Sequence, residues 1–182
     1  LSVSVFAYSE TTPLDQVLKE DDVTLIAVDF KVSENKIKSN NMEKFIDGTY
    51  HYNVYVPAGY NSNKDRKYAC LFIASPGGNA SLGNVKNWVK NKEWIAVMLV
   101  ESKNGDTPWP AFSNFVSAHD DAVKRLRIQN GFKFGTGFSG GARVSSNFAK
   151  NREGFAGIIL QGAGFGGNLD SGANNKNLTV YA

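Results

Sequence analysis

The chain has 182 residues, 42% of them hydrophobic and 20% charged, and its formal net charge is +3. This length and this balance predict one folded domain with a sizeable core, and they exclude a largely disordered chain. The lysines and arginines are scattered and form no basic run, so we expect no nucleic-acid partner. No stretch reaches the roughly eighteen consecutive apolar residues of a membrane span, so we expect none.

Cysteine and histidine are too scarce to build a metal site. The single cysteine, Cys70, lies in an apolar run at residues 68–74, where a strand would bury an inert thiol. The two histidines and this cysteine lack the spacing of zinc ligands. We therefore expect no metal.

The first residues resemble the end of a signal peptide. An apolar run at residues 1–6 is followed by Ala7-Tyr8-Ser9, a small-x-small cleavage pattern. This pattern predicts export to the periplasm or the medium, and the alternative is an ordinary first strand. We assign residues 1–20 to an N-terminal segment of signal remnant and linker, and residues 21–182 to the folded domain.

The strand and helix patterns, taken in chain order, predict an α/β domain. Residues 23–30 and 49–57 favour an antiparallel pair of strands. Apolar strands are then predicted at residues 69–74, 94–100, 132–135, 156–160 and 178–181. Between them, Val85, Trp88 and Val89 have helical spacing, and a helix is predicted over 113–129 with Gly131 as its stop. Continuous apolar strands alternating with amphipathic helices indicate a parallel sheet covered on both faces.

The most informative motif is GFSGG at residues 137–141, a Gly-x-Ser-x-Gly pattern. A strand-like run precedes it and a helix-like run, residues 142–149, follows it. A strand that turns sharply into a helix needs small residues around the turn, and it lifts the serine hydroxyl out of the sheet. This setting predicts a nucleophile elbow at Ser139, and the alternative is a plain glycine-rich turn.

This arrangement, from about Val23 to Ala182, resembles the α/β-hydrolase superfamily. The segment YNVYVPAGY at residues 52–60 and the segment around Ser139 resemble secreted esterases of the polyhydroxybutyrate-depolymerase-like and feruloyl-esterase-like group. The resemblance implies an α/β-hydrolase fold: a mostly parallel sheet with antiparallel first strands, helices on both faces, and the last strand or strands missing at the C-terminus.

The resemblance also implies an oxyanion hole made of two backbone N–H groups. The first maps onto Gly140, directly after the nucleophile. The second maps onto the turn SPGGN at residues 75–79, where Pro76 has no N–H, so Gly77 or Gly78 must donate. The turn departs from the family's common His-Gly pattern, and a simple glycine-rich turn is the alternative. Trp109, between two prolines in the loop at 106–110, is expected to line a substrate pocket or only to pack on the surface.

The acid and base of a hydrolase triad are missing from the expected places. In this fold they follow Ser139 in the order acid, then histidine, yet no histidine follows residue 139. We therefore expect a chain cut before its acid and base. The weak substitutes are His119, expected to be a buried, hydrogen-bonded histidine of the helix, and Asp170, expected to be a loop residue. His51 is a poorer candidate still.

Three acidic side chains receive no catalytic assignment from the sequence. Asp120 and Asp121 are expected to be solvated helix residues, and Glu101 ends the fourth strand without an assigned role.

The sequence thus predicts a serine hydrolase of carboxylic esters, acting on a small-molecule or polymeric ester and needing neither metal nor organic cofactor. Two alternatives stay open: a non-catalytic binding module on the same scaffold, and a peptidase or thioesterase of the same fold. The strand at 178–181 would leave an open sheet edge, which predicts self-association.

Overall fold

One mixed sheet of seven strands forms the centre of the part of the chain that the computed structural model describes, which is residues 14, 17–34, 44–164 and 178–181. The strands lie in the order β1-β2-β4-β3-β5-β6-β7. Their bounds are β1 Val23–Phe30, β2 Gly48–Tyr55, β3 Tyr68–Ala74, β4 Ile95–Leu99, β5 Ile128–Phe138, β6 Phe155–Gln161 and β7 Thr179–Tyr181. The helices are α1 Lys86–Asn91, α2 Trp109–Arg125 and α3 Gly140–Asn151.

The predicted change from antiparallel to parallel pairing is confirmed. Strand β1 pairs with β2 antiparallel over its whole length, with Val23 opposite Tyr55 and Phe30 opposite Gly48. Strand β2 pairs antiparallel with β4, and all further pairs, β3 with β4 and β5, and β6 with β5 and β7, are parallel. Parallel strands end at the same edge of a sheet, so the turns after β3, β4 and β5 meet there.

Helices cover both faces of the sheet, also as predicted. Because side chains alternate along a strand, Phe72 of β3 faces the larger core, formed with α2 and α3, while Leu71 faces the smaller core, formed with Val89 of α1. In the larger core, Phe115 of α2 stacks on Phe148 of α3 with ring centroids 4.0 Å apart. Stacked aromatic pairs of this kind hold the two helices together on one face.

Cys70 lies in the larger core and is completely buried, which confirms the expected inert thiol. Burial raises the pKa of this thiol, because the thiolate would lose its hydration there.

Helix α2 does not have the predicted bounds. It begins at Trp109, four residues before the expected start, and ends at Arg125, four before the expected end. Pro110 in its first turn is compatible with a helix, because that N–H has no intrahelical acceptor. Leu126 is extended (φ −105°, ψ 153°) and leads into β5, so the predicted stop at Gly131 is wrong. Gly131 lies within β5 at φ 79°.

The N-terminal segment is not separate from the domain where the structure describes it. Leu14 and Leu18 are buried in the larger core, so the folded unit begins before residue 21. Residues 1–13 lie outside the described part, and export stays a prediction. Among the described residues, no helix combines the length and apolar character that crossing a membrane requires.

Strand β7 is the last strand of the described sheet. It pairs with β6, and its Val180 and Tyr181 side chains are exposed. Self-association through this edge stays a prediction.

Candidate active site

Ser139 lies at the junction of β5 and α3 with a strained backbone. Its φ is 50° and its ψ is −117°, a combination that a non-glycine residue adopts only when its surroundings impose it. The Ser139 N–H donates to the Gln161 carbonyl at 2.8 Å, and the Ser139 carbonyl accepts from the Arg143 N–H at 3.2 Å. The end of β6 and the first turn of α3 therefore hold this conformation in place.

Two glycines of the motif allow α3 to pack directly against the sheet. A Cβ on Gly137 would lie 2.5 Å from the Gly141 carbonyl carbon and 2.7 Å from the Ala74 carbonyl oxygen. A Cβ on Gly141 would come closer still to that same oxygen. These contacts are with backbone atoms, which cannot move aside as a flexible side chain can. The spacing of the motif is thus explained by close approach of three chain segments.

Helix α3 presents its first N–H groups beside Ser139. Gly140 is the first residue of the helix, and the amides of a first helical turn have no acceptor within the helix. The helix dipole adds partial positive charge at this end. The Gly140 amide is therefore a candidate donor to an anion that forms next to the Ser139 hydroxyl.

The turn after β3 differs from the expected pair of equivalent donors. The Gly78 N–H donates to the Ser75 carbonyl at 3.1 Å, whereas the Gly77 N–H has only a long contact, 3.3 Å, with the Ser75 hydroxyl. Gly77 is therefore the freer candidate donor. Neither glycine is among the residues that line the cavity beside Ser139.

Sequence reasoning missed two residues that connect this turn to the loop after β4. The buried Ser102 hydroxyl accepts from the Ser75 N–H at 3.0 Å and donates to the Ser75 carbonyl at 3.1 Å. The Asn104 N–H donates to the Pro76 carbonyl at 2.9 Å, and its side chain lies where a Cβ on Gly140 would be. No motif marks either residue, because only the pairing of β3 with β4 brings the two loops together.

A cavity of about 550 Å³ opens beside Ser139. Its apolar wall comes from the first turns of α2 and from α3, and polar side chains from the loop after β4 and from α3 form the rest. The lining residues are Lys103, Asn104, Gly105, Thr107, Pro108, Trp109, Ala111, Phe112, Ser139, Gly140, Arg143, Val144 and Asn147. The volume is that of a small-molecule site.

Trp109 lines this cavity, but it is a helix residue and not the loop residue that was expected. As the first residue of α2 it packs edge-on against Phe45 and Phe112, with ring centroids 5.5 and 5.7 Å apart. The Lys44 ammonium lies 5.4 Å from its ring centroid. These contacts fix the indole at the wall of the cavity.

His51 forms a hydrogen-bonded network away from the cavity. The ring nitrogen Nδ1 of His51 lies 2.7 Å from Glu101 Oε1. The backbone N–H of His51 donates to Glu101 Oε2 at 2.8 Å. Asn114 completes the network, accepting from the Glu101 N–H and donating to the His51 carbonyl. Neither His51 nor Glu101 lines the cavity, so Glu101 serves to join β2 to the end of β4.

His119 lies at the opposite edge of the sheet. Its Nε2 is 3.0 Å from the ammonium of Lys133, which is opposite Phe155, the first residue of β6. Lys133 precedes Ser139 by six positions along β5, which places this contact on the order of 15–20 Å from Ser139. His119 is therefore not within reach of the serine.

The environment of His119 favours its neutral form. An ammonium can only donate, so Nε2 accepts from Lys133, and Nδ1 carries the proton that it donates to Asp120 at 2.7 Å. Burial, ahead of every other influence, lowers the pKa of His119 to about 4. This is the environment of a buried, hydrogen-bonded histidine.

Of the two aspartates that were expected to be solvated, Asp121 is buried, and the side chain of Asp120 keeps about a third of its surface exposed (35%). Asp120 accepts from His119, as described above. Asp121 is buried, accepting from the Tyr52 hydroxyl at 2.7 Å and from the Arg125 guanidinium at 2.5 Å. The bond from Tyr52 therefore links Asp121, and with it α2, to β2, whereas the partly exposed Asp120 carboxylate also lies 3.5 Å from the Arg152 guanidinium.

Two further expectations concern Asp170 and metal ligands. Asp170 lies outside the described residues. Within the described ranges, no three histidine, cysteine, aspartate or glutamate side chains come together as metal ligands. Within the same ranges, neither a histidine nor a carboxylate makes a hydrogen bond to the Ser139 hydroxyl.

The chain was compared with known families, sequences and structures. No family model matches the sequence, and no curated protein matches it. Solved structures do match. A ferulic acid esterase superposes with a TM-score of 0.57 at 18% identity, covering 77% of this chain and 58% of that chain.

Two other hydrolases match at a similar level. S-formylglutathione hydrolase from Staphylococcus aureus matches with a TM-score of 0.52 at 11% identity, covering 76% of this chain and 57% of that chain. An acylaminoacyl peptidase from Pyrococcus horikoshii matches with a TM-score of 0.53 at 13% identity, covering 80% of this chain and 24% of that chain. The chain thus spans less than two thirds of the length of each of these structures.

Identities this low establish architecture and leave chemistry to the site itself. In the described part of this chain, that architecture is a mixed sheet that begins antiparallel, continues parallel and has a strand-to-helix turn at its carboxyl edge. The described part of this chain has the α/β-hydrolase fold.

Proposed function

We propose that this chain carries the nucleophile of a serine hydrolase that cleaves carboxylic esters, with Ser139 as that nucleophile. The observation that supports it best is the strained backbone of Ser139 at the β5–α3 junction, next to a cavity. Strain of this kind costs stability, and it is retained where it positions a reacting group. Asp21, Asn79 and Glu93 also have positive φ, but the ψ of −117° at Ser139 lies outside the left-handed helical region that non-glycine residues adopt in ordinary turns.

In the proposed reaction the Ser139 oxygen attacks the ester carbonyl carbon, and negative charge develops on the carbonyl oxygen. The Gly140 amide, at the positive end of α3, donates a hydrogen bond to that oxygen. Gly77 supplies the second donor once the turn after β3 gives up its long contact with the Ser75 hydroxyl. The alcohol leaves, and water then hydrolyses the acyl-enzyme.

Neither histidine of the sequence is placed to take the Ser139 proton. His51 is bound to Glu101, and His119 lies at the far edge of the sheet. These are the two histidines of the sequence. We therefore propose that the base is a histidine outside these 182 residues, and that the activity is that of a longer protein.

Esters are proposed as the substrate because of the cavity and the relatives. Trp109 and Phe112 provide an apolar wall for an acyl or aromatic group. The matching structures include a ferulic acid esterase and an S-formylglutathione hydrolase. A small-molecule or polymeric ester is thus the substrate class that we propose.

The test is covalent labelling of this chain with a fluorophosphonate, with imidazole added as an external base. The Ser139 oxygen would bond to phosphorus, fluoride would leave, and imidazole would take the proton. Removal of a triad member costs on the order of 10⁴ to 10⁶ in turnover, so labelling is expected over hours. Mass spectrometry of the intact chain and of its peptides would locate the modification.

Ser139→Ala should abolish the labelling, and Ser62→Ala, at an exposed serine, is the matched control that should keep it. Equal modification of the chain and of Ser139→Ala, or modification at another serine, would contradict the proposal.

One observation favours a second candidate, a binding module on the same scaffold. No acid or base of the described residues contacts the Ser139 hydroxyl, although the cavity beside it is formed. Ester hydrolysis by the complete coding sequence distinguishes the two candidates. Turnover that Ser139→Ala removes supports the hydrolase, and ligand binding without turnover supports the binding module.

A further inference from the structure

The cavity beside Ser139 has an uneven distribution of charge. Two cationic side chains, Lys103 and Arg143, line it, and no aspartate or glutamate of the described residues does. Asp106 belongs to the same loop as Lys103 but is not among the lining residues. Neither cation makes an ion pair with a described carboxylate. The cavity is therefore electropositive.

The position of Arg143 is electrostatically unfavourable without a ligand. It is the fourth residue of α3, close to the positive end of the helix dipole, and the first turn of α3 contains no acidic residue. Cations are destabilising near a helix N-terminus. The first turn of α2 also contributes to the wall and also lacks an acidic residue. An anion in the cavity would offset all of these positive charges together.

Asn147 is a second, independent sign of a missing ligand. It lines the cavity and is only 6% exposed. Its side-chain nitrogen donates to the Arg143 carbonyl at 3.1 Å, which fixes the orientation of the amide. Among the described residues, no donor contacts its side-chain oxygen, which is buried. Buried acceptors are normally paired, so the partner of this oxygen lies outside the contacts of the described residues.

The three residues lie in a line along α3. Ser139, Arg143 and Asn147 are four residues apart, so they share one face of the helix, with a rise of about 6 Å for each step. A ligand extended along this face from the serine passes the Arg143 guanidinium and then the part of the wall formed by Asn147. Lys103 lies on the loop across the cavity.

We propose that the cavity binds an acyl group that carries a carboxylate, which Arg143 and Lys103 neutralise. The apolar part of the acyl chain lies against Trp109 and Phe112. This inference rests on the proposed function, since it treats the cavity as the acyl site of Ser139. It adds the substrate class: esters of a dicarboxylic or otherwise anionic acyl group.

Binding to the Ser139→Ala chain tests this inference separately from the chemistry. Isothermal titration calorimetry would compare monophenyl glutarate, which is anionic, with phenyl hexanoate, which is neutral and of similar length. The anion should bind at least about tenfold more tightly, because charge-assisted hydrogen bonds are the stronger ones. Raising the salt concentration should weaken the binding of the anionic ligand and leave the binding of the neutral ligand unchanged, since salt screens exposed charges.

Substitutions at the cavity then identify the groups responsible. Arg143→Gln should weaken binding of the anion by about five- to tenfold and leave binding of the neutral ester within about twofold, and Arg143→Lys should restore most of the loss. Lys103→Gln should have a smaller effect of the same kind. Lys92→Gln, at the end of α1, removes one positive charge elsewhere and is the matched control.

Equal affinity for the two ligands, or equal losses for both in Arg143→Gln, would overturn the inference. Because the Ser139→Ala chain has no nucleophile, binding of the anion can succeed where fluorophosphonate labelling of Ser139 fails, and the reverse also holds. The two results therefore report on the two proposals separately.

Discussion

The two edges of the sheet each contain a cluster of polar groups, and the clusters differ in what surrounds them. At the carboxyl edge, Ser139 has a strained backbone, and no acid or base of the described residues contacts its hydroxyl. At the amino edge, Lys133, His119 and Asp120 form a connected chain of hydrogen bonds, and the first two are buried.

This difference separates a group available for chemistry from groups that support the fold. His119 has a hydrogen-bond partner at each ring nitrogen and is kept neutral by burial, so neither nitrogen is available to a substrate. Ser139 is held by its backbone while its side chain stays beside a cavity. A histidine in the sequence of a hydrolase-like protein is therefore no guide to its base until its place in the sheet is known.

The largest effect should come from filling the close approach that creates the elbow. Gly141→Ala would force a methyl group against the Ala74 carbonyl oxygen, which is backbone and fixed by the pairing of β3. We expect a loss of at least about 3 kcal/mol in the free energy of unfolding, measured by urea denaturation.

Gly105→Ala is the control for this first prediction, because its Cβ would lie 3.8 Å from the nearest atom, the Thr107 carbonyl oxygen. If Gly141→Ala were as stable as Gly105→Ala, the packing of α3 against β3 would not be the reason for the motif.

The next effect concerns pH at the opposite edge. Burial lowers the pKa of His119 to about 4 in the folded chain, from the ordinary value of about 6.5 that we expect in an unfolded chain. The unfolded state therefore holds more protons between these values, and the free energy of unfolding falls as the pH falls from about 6.5 to 4. His119 should account for about 2–3 kcal/mol of the loss between pH 7.5 and pH 4.5.

His119→Gln removes this titration. Between pH 7.5 and pH 4.5, its free energy of unfolding should therefore fall by about 2–3 kcal/mol less than that of the unsubstituted chain. Urea denaturation at both pH values would measure the difference. The carboxylates other than the neighbouring Asp120 keep their surroundings in the variant, so their contribution to the pH dependence cancels in the comparison. His51→Gln, at the other histidine, is the matched control. An unchanged slope in His119→Gln would show that the buried histidine does not titrate in this range.

The smallest effect tests the strain at Ser139. Glycine tolerates φ 50°, so Ser139→Gly relieves strain that Ser139→Ala retains. Glycine also makes the unfolded chain more flexible, which offsets part of this gain. We therefore expect the free energy of unfolding of Ser139→Gly to be only about 1 kcal/mol higher than that of Ser139→Ala.

The same pair of substitutions at Ser81, which has no positive φ, should give the opposite order. If alanine were the more stable residue at position 139 as well, the backbone there would not be strained.

Much of the fold was predictable because its signals are local. The apolar runs that form β3, β4 and β6 carry their strand character in their own composition, and the glycines around Ser139 mark the turn directly. The bounds of α2 were predicted less well. Its last turn was expected to run to Gln129, but pairing of Tyr68 with Ile128 draws that segment into the sheet. Local helical spacing does not report such long-range competition.

Local residue patterns were enough to predict the order of strands and helices along the chain, the sharp strand-to-helix turn at Ser139 and the burial of Cys70. The tertiary structure alone decided that His119 lies far from the serine, and that Asn104, Arg143 and Asn147 join it at one cavity. The physical reason is that sheet pairing and helix packing bring together residues distant in the chain, and no local pattern encodes those distances.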